Sequence, residues 1–275
     1  MKFKCSLVLL CLALSPVILN SNIYAQDLFE PDPGYALRTR ATKKTDFLLF
    51  PLSACTGSAE AAVSFTNTKV YVLSHPAGGA SFNKNLYEMA SGGRTLAPIQ
   101  ENMRTFIYVI GGSAVLNIAG EGVVELSKDD ALYIPAQATY TIENKASEDF
   151  KFIAIKKSPN QDIESKFFKT KLSEINPVPV GNDTGFLLRF LGNDSDFLII
   201  HITVMPGSGN AFMESHIEQH GIFFLSGNGG YYMIKDEKYD IFPEDYIFMD
   251  SYVPHGFRSV TEPVSFLLLK IYPEE

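Results

Sequence analysis

Cysteine is scarce in this chain of 275 residues, which has three cysteines and no tryptophan. Cys5 and Cys11 lie in residues 1–25, where two lysines precede a short apolar run and a cleavage-like Ala25, a pattern typical of a secretory signal sequence. Removal of that segment leaves Cys55 alone, which excludes an intrachain disulfide. We therefore expect a secreted or periplasmic protein, with an uncleaved N-terminal anchor as the alternative.

Positive charge is also in short supply. The chain has 23 basic and 31 acidic residues, and loss of the signal would leave 21 against 31, a formal net charge of −10. That balance disfavours nucleic acids and anionic membrane surfaces as partners. After the signal, no apolar run approaches the length of about 18 residues that a membrane-spanning helix needs. We expect no membrane association once the signal is removed, and a small molecule as the substrate.

Convincing helical periodicity is absent from most of the chain. Phenylalanine and tyrosine are abundant, at 21 and 13 residues, and short alternating runs are separated by Gly, Asn and Asp turns. The best helical candidate is the segment Asp162–Ile175. The pattern predicts an all-β protein with at most this one helix.

An internal repeat sets the domain organisation. Residues 105–113 match residues 221–229, and residues 128–135 match residues 243–250, at an offset of 115 or 116 residues. The repeat predicts two small β-barrels in tandem. The boundaries we expect are a signal over 1–25, an N-terminal barrel over 26–160, a connector over 161–184 and a C-terminal barrel over 185–275.

Three of the five histidines lie beside one glutamate, in Glu214-Ser-His216-Ile-Glu-Gln-His220 and in Val253-Pro-His255. In a strand, Glu214 and His216 would point the same way, about 7 Å apart. His220 would lie about 13 Å further along a continuous strand, so the chain must turn before it to share an ion. Three imidazoles and one carboxylate would leave coordination positions open, as in catalytic metal sites. The pattern predicts a metal centre in the C-terminal barrel.

The first copy of the repeat does not carry these ligand types. Pro98, Gln100 and Arg104 occupy the positions that correspond to the first three ligands. We therefore expect the N-terminal barrel to bind no metal, and to pack against the second barrel. The other two histidines, His75 and His201, have no potential ligand near them in sequence and are interpreted as structural.

The ligand order resembles that of a known family. Glu-x-His-x3-His, followed by residues 225–231 (Leu-Ser-Gly-Asn-Gly-Gly-Tyr), is similar to the (S)-ureidoglycine aminohydrolases, which are bicupins of purine breakdown. Residues 104–113 also resemble their pattern, and the resemblance extends over nearly the whole mature chain. It implies two tandem cupin (jelly-roll) barrels and a metal-dependent hydrolase that releases ammonia from a ureido or amino acid by metal-assisted attack of water.

The resemblance also implies a ligand set. Glu214, His216 and His220 match the manganese ligands of the family, so Mn(II) is the expected cofactor. The fourth family ligand is a glutamine, and this chain has His255 there. A nitrogen ligand in place of an amide oxygen favours Zn, Fe, Ni or Cu relative to Mn.

Two further positions match residues that line the family's substrate pocket, Tyr231 and Lys270, while Phe266 stands where the family usually has a tyrosine. Lys270 lies in an otherwise apolar run, where an ammonium is costly unless it faces water or an anion. It is a candidate for binding a substrate carboxylate or for acid–base catalysis, and a lysine that reaches solvent at the barrel mouth is the alternative. Tyr231 fits core packing equally well. Glu214 fits a constant ligand or a catalytic base.

Two other function classes stay open at this point. One is a cupin oxygenase or isomerase that uses Fe, Ni or Cu, because a set of three histidines and one glutamate also suits that chemistry. The other is a non-catalytic metal-binding bicupin. In either case the resemblance implies a homo-oligomer, since barrels of this kind associate and cover their exposed sheet edges.

Overall fold

Among the residues that the structure describes, regular structure is almost entirely β-strand, as predicted. The computed structural model describes residues 42–43, 47–52, 64–74, 80–159, 166–180, 185–193, 197–210, 212–259 and 261–271. The predicted signal sequence, Cys55 and His75 lie outside these residues. Within the described part, no helix has the length and apolar character needed to cross a membrane.

Two tandem β-barrels are present, which confirms the predicted fold class. The strands up to the connector are β1 (Thr42–Lys43), β2 (Phe47–Pro51), β3 (Phe65–Ser74), β4 (Asn83–Thr95), β5 (Ile99–Gln100), β6 (Arg104–Gly111), β7 (Ser113–Ile118), β8 (Gly122–Ser127), β9 (Asp130–Ile134), β10 (Thr139–Glu143), β11 (Phe150–Lys157) and β12 (Phe168–Lys171). The remaining strands are β13 (Val178–Val180), β14 (Phe186–Asn193), β15 (Phe197–Val204), β16 (Gln219–Ser226), β17 (Gly230–Ile234), β18 (Glu237–Ile241), β19 (Asp245–Met249), β20 (His255–Ser259) and β21 (Val264–Ile271).

The strand orders of the two barrels show the repeat directly. The first barrel is a ten-stranded sheet in the order β12-β9-β6-β11-β4-β10-β7-β8, with β3 beside β4 and β5 beside β10. The second has an eight-stranded sheet in the order β1-β2-β19-β16-β21-β15-β14-β13 and a three-stranded sheet in the order β18-β17-β20. The run β9-β6-β11-β4 in the first barrel therefore corresponds to β19-β16-β21-β15 in the second.

The strand that precedes each barrel is paired with the other barrel. β2 precedes the first barrel and pairs with β19 of the second. β12 precedes the second barrel and pairs with β9 of the first. Because β9 and β19 are equivalent, the exchange is reciprocal. The expected boundaries placed residues 47–51 in the N-terminal barrel and residues 168–171 in the connector. Each of these two strands pairs with a strand that lies outside its own expected segment.

The predicted helix over 162–175 is not formed in its described part. Residues 168–171 form β12, and Leu172–Glu174 form a single 3-10 turn. The open edge of β9 offers β12 a full set of backbone partners, and the Phe168 ring stacks on Tyr133 with ring centres 5.6 Å apart. Tertiary pairing here overrides a weak local period.

In the described part of the chain, buried apolar side chains form three clusters. One fills each barrel, and the third lies between the barrels and takes side chains from both. Strand β21 separates two of these clusters, because Phe266 and Leu268 face the interior of the second barrel while Leu267 and Leu269 face the first barrel. The alternation of side chains along the strand places Lys270 on the interior face.

Candidate metal centre

Three histidines from separate segments meet at one end of the second barrel. His216 lies in the loop before β16, His220 is the second residue of β16, and His255 is the first residue of β20. Their potential ligand atoms all lie within 4.8 Å of one another. The ring centres are 4.4 Å apart for His216 and His220, 5.0 Å for His216 and His255, and 4.8 Å for His220 and His255.

Backbone pairing holds the loop of His216 against β20. The N–H of Glu214 donates to the carbonyl of His255 at 2.7 Å, and the N–H of His255 donates back at 2.8 Å. The carbonyl of His216 accepts from the N–H of Tyr252 at 2.7 Å. The chain then bends at residues 217–218 before β16 begins. This is where the sequence required a turn between His216 and His220.

Glu214 differs from the expected four-ligand arrangement. It is the direct cross-strand partner of His255, so the two side chains lie on the same face. Its carboxylate, however, accepts from Nδ2 of Asn210 at 2.7 Å in an exposed position. The ligand cluster found among the described residues consists of the three histidines without Glu214.

Acceptors beside two of the rings indicate which nitrogen faces the centre. Nδ1 of His255 lies 2.8 Å from the carbonyl of Val253. Nδ1 of His216 lies 3.0 Å from a carboxylate oxygen of Glu218, at ion-pair distance but not aligned for an ideal hydrogen bond. An acceptor at Nδ1 leaves the Nε2 lone pair for a ligand. Glu218 was not singled out from the sequence.

The third ring, His220, is the most isolated from hydrogen bonding. It is 3% exposed, and neither ring nitrogen has a hydrogen-bond partner. A buried, unpaired polar atom is costly, and a metal ion would supply a partner for one of the two nitrogens. The donor chemistry fits as well, because neutral imidazoles suit borderline divalent ions such as Zn, Fe, Ni and Cu.

Burial keeps the imidazoles of His220 and His255 in the neutral form that binds metals. It lowers the pKa of His255 to about 3 and the pKa of His220 well below its ordinary value. The adjacent His216 ring lowers the pKa of Glu218 to about 2, so this carboxylate is charged at neutral pH. His220 and His255 thus need no deprotonation at neutral pH before they can bind a cation.

Lys270, a predicted pocket residue, lies beside the histidines. It is directly opposite His220 in the pairing of β16 with β21. Its Nζ lies 3.5 Å from Nε2 of His216. An ammonium so close to the cluster is well placed for an anionic group of a bound molecule.

The two adjacent tyrosines of β17 face opposite ways. Tyr231 lies on the outer side of the sheet, opposite Asp240 and Arg258, with Nζ of Lys238 5.5 Å from its ring centre. Tyr232 faces the interior and stacks on His255. The expected pocket residue Tyr231 is therefore directed away from the histidines, and its neighbour takes the position beside them.

Phe266 and His201 are both buried, on opposite sides of the sheet of the second barrel. Phe266 packs in the interior of the second barrel, with its ring centre 5.4 Å from that of Phe224. His201 is buried on the side that faces the first barrel, where its ring centre lies 6.4 Å from that of Tyr108. Burial lowers the pKa of His201 to about 4, and this histidine is outside the ligand cluster.

Comparison with known proteins gives a consistent family. The cupin domain model matches twice, over residues 85–156 and 200–270. The (S)-ureidoglycine aminohydrolase of Escherichia coli (strain K12) is 30% identical over 194 residues, which cover 68% of this chain and 74% of that protein.

Solved structures agree on the architecture. The crystal structure of protein Ylba from E. coli superposes with a TM-score of 0.74 at 25% identity, covering 86% of this chain and 96% of that one. A mutant of Bacillus subtilis oxalate decarboxylase superposes with a TM-score of 0.62 at 13% identity, covering 89% and 80%. The second likeness shows a shared fold alone.

Proposed function

Because this chain belongs to the cupin family and carries two cupin domains, we propose that it is a metal-dependent hydrolase of the (S)-ureidoglycine aminohydrolase type. The proposed reaction releases ammonia from a small ureido or amino acid. Support comes from the curated relative at 30% identity and from the resemblance of the ligand motif.

The observation that carries the proposal is the convergence of His216, His220 and His255 within 4.8 Å. A core histidine normally pairs its ring nitrogens, whereas His220 is buried with both unpaired. A divalent cation bound by the three rings would supply a Lewis acid for activating water or polarising the substrate. Glu214 would complete the ligand set if its carboxylate turned from Asn210 toward the neighbouring His255.

The chain's own residues supply the other parts of the site. Lys270 binds the substrate carboxylate, since its ammonium lies at the edge of the histidine cluster. Glu218 orients His216 through Nδ1 and adds negative charge beside the cation. Tyr232 donates a hydrogen bond to the substrate through its phenol O–H, because burial raises the pKa of this tyrosine well above its ordinary value and keeps the proton on the oxygen.

The donor set and the family resemblance favour different cations. The three imidazoles favour Zn, Fe or Ni, whereas the family resemblance favours Mn. Elemental analysis of the protein purified without added metal identifies the ion. A preparation loaded with each of these ions in turn then shows which one supports the reaction.

Ammonia release tests the activity. The loaded protein is assayed with ureidoglycine and with a series of other ureido and amino acids, beside His220→Ala as the metal-site control. We expect ammonia release that the control variant lacks. Ammonia release at equal rates by the protein and by His220→Ala, or no release with any of these acids, would overturn the proposal.

A second candidate function rests on His255. Its imidazole, in place of the family glutamine, gives a three-histidine set of the kind that also suits Fe or Cu chemistry. This candidate is an oxygenase or isomerase on the same scaffold. Oxygen consumption by the Fe-loaded protein with enediol or phenolic compounds, without ammonia release, would favour it.

The location and assembly of the enzyme are also part of the proposal. The N-terminal pattern supports export of the mature chain, and the family resemblance supports a homo-oligomer. N-terminal sequencing of the protein recovered from its native compartment tests the first statement. Light scattering of the purified protein tests the second.

A further inference from the structure

The residues on both sides of His220 are held by the first barrel. On one side, Oε1 of Gln219 accepts hydrogen bonds from the N–H and the Oγ of Ser81, both at 2.9 Å. Ser81 precedes β4 of the first barrel, whereas Gln219 opens β16 of the second. Two bonds to one amide oxygen fix the orientation of this side chain as well as its position.

On the other side, Lys84 reaches across from the same segment of the first barrel. Its Nζ donates to the carbonyl of Gly221 at 3.2 Å, and the side chain is 0% exposed. The ammonium also lies 5.1 Å from the ring centre of Tyr246. An amine without a carboxylate partner is expensive to bury, and its backbone contact places it at the residue after His220.

The same contacts continue to the third histidine. Nε2 of Gln219 donates to Oδ1 of Asp250 at 2.9 Å, and that oxygen also accepts from the N–H of Ser251 at 2.8 Å. Asp250 opens the turn that leads into His255. One side chain thus joins the first barrel, the strand of His220 and the turn before His255.

We propose that the first barrel sets the geometry of the metal centre, with Ser81 and Lys84 as positioning residues that clamp the strand on either side of His220. This rests on the proposed binding of a cation by the three histidines. The clamp fixes the backbone at Gln219 and Gly221, so the His220 ring projects from a rigid segment toward the other two. Loss of the clamp lets the ring move and weakens the shared coordination.

The test uses Lys84→Met, which keeps the volume of the side chain and removes the buried amine. Lys151→Met is the matched control, because Lys151 also reaches from the first barrel to the second but contacts Glu244, away from the histidines. We expect Lys84→Met to fold and to bind Co(II) about tenfold more weakly, as loss of an outer contact commonly does. The visible d–d spectrum of the Co(II) protein should also shift, and Lys151→Met should match the wild type in both measurements.

A second pair of variants covers the other side of His220. Gln219→Leu removes the bonds to Ser81 and Asp250, and Ser81→Ala removes only the hydroxyl bond. The Co(II) spectrum should change more in Gln219→Leu than in Ser81→Ala. Unchanged Co(II) affinity and spectrum in both Lys84→Met and Gln219→Leu would overturn the clamp.

The outcome for His220→Ala separates the two proposals. If that variant loses Co(II) binding while the clamp variants keep it, the metal centre stands and the clamp fails. If His220→Ala binds Co(II) as the wild type does, the metal centre itself is refuted.

Discussion

The phenol ring of Tyr232 lies nearly parallel to the imidazole of His255, at an interplanar angle of 13° with ring centres 6.1 Å apart. The tyrosine before it faces the other side of the same sheet. Since the two differ by one position in a strand, they provide a natural comparison. One ring is beside the candidate centre, and the other is buried on the opposite face of the sheet.

The first prediction uses this pair. Tyr232→Phe removes a hydroxyl from the interior and should lower kcat/KM for ammonia release about tenfold, as expected for one lost hydrogen bond. Tyr231→Phe removes the same group on the outer face and should stay within about twofold of the wild type. Equal losses in the two variants, measured in the same assay, would contradict the interior role of Tyr232.

The second prediction concerns metal preference. His255→Gln restores the amide of the family resemblance and should lower the affinity for Zn(II) relative to Mn(II) by about tenfold. Competition against a fluorescent chelator measures both affinities. His201→Gln is the control, because this histidine is buried on the face of β15 that points toward the first barrel and lies outside the cluster. A change of the same size in the control would show that the effect is not one of coordination.

The third prediction concerns the carboxylate beside His216. Glu218→Gln keeps the shape of the side chain and removes its charge, and should weaken metal binding about 10- to 100-fold. Glu125→Gln makes the same change at an exposed position on β8 of the first barrel and should leave the affinity unchanged. Isothermal titration of both variants with Zn(II) decides the matter. An unaltered affinity in Glu218→Gln would remove this residue from the site.

The fourth prediction is the pH dependence of stability at Lys84. Burial lowers the pKa of this lysine from 10.5 to about 7. Between pH 7 and pH 10.5 the unfolded chain therefore holds more protons than the folded one, so the contribution of Lys84 to stability rises with pH. One proton changes the free energy of unfolding by at most about 1.4 kcal/mol per pH unit.

The comparison with Lys84→Met isolates that contribution. The variant should be the more stable protein near pH 7, and its advantage over the wild type should shrink as the pH rises toward 10. Urea unfolding of both proteins across this range measures the difference. A difference that does not change with pH would mean that the lysine is charged in the folded state throughout.

Local patterns predicted much of the fold. Strands of the repeat are visible in the sequence because alternation and turn residues are local properties. The matched segments 105–113 and 221–229 begin on the equivalent strands β6 and β16. The convergence of the histidines also followed from spacing, since a shared ion required a turn before His220. Features that depend on distant pairing were not visible.

The missed features have specific physical causes. Tyr231 was chosen over Tyr232 because a shift of one residue moves a side chain to the opposite face of a strand. Glu218 was missed because its role depends on side-chain direction in a loop. The destinations of β2 and β12 were missed because a strand joins a sheet edge through backbone groups that every residue carries, so the local sequence does not show which edge it joins.

The exchange of β2 and β12 has a consequence for the order in which the molecule is assembled. Lys171 of β12 and its partner Asp130 of β9 are 41 residues apart, so β12 can join the first barrel soon after β9 has been synthesised. Pro51 and its partner Asp245 are 194 residues apart. At roughly 5–20 residues per second, a ribosome needs on the order of 10–40 seconds to bridge that interval. β2, one of the earliest strands to be translated, thus has to wait for its partner strand β19, and the half that contains the histidines closes only when the nascent chain is almost complete.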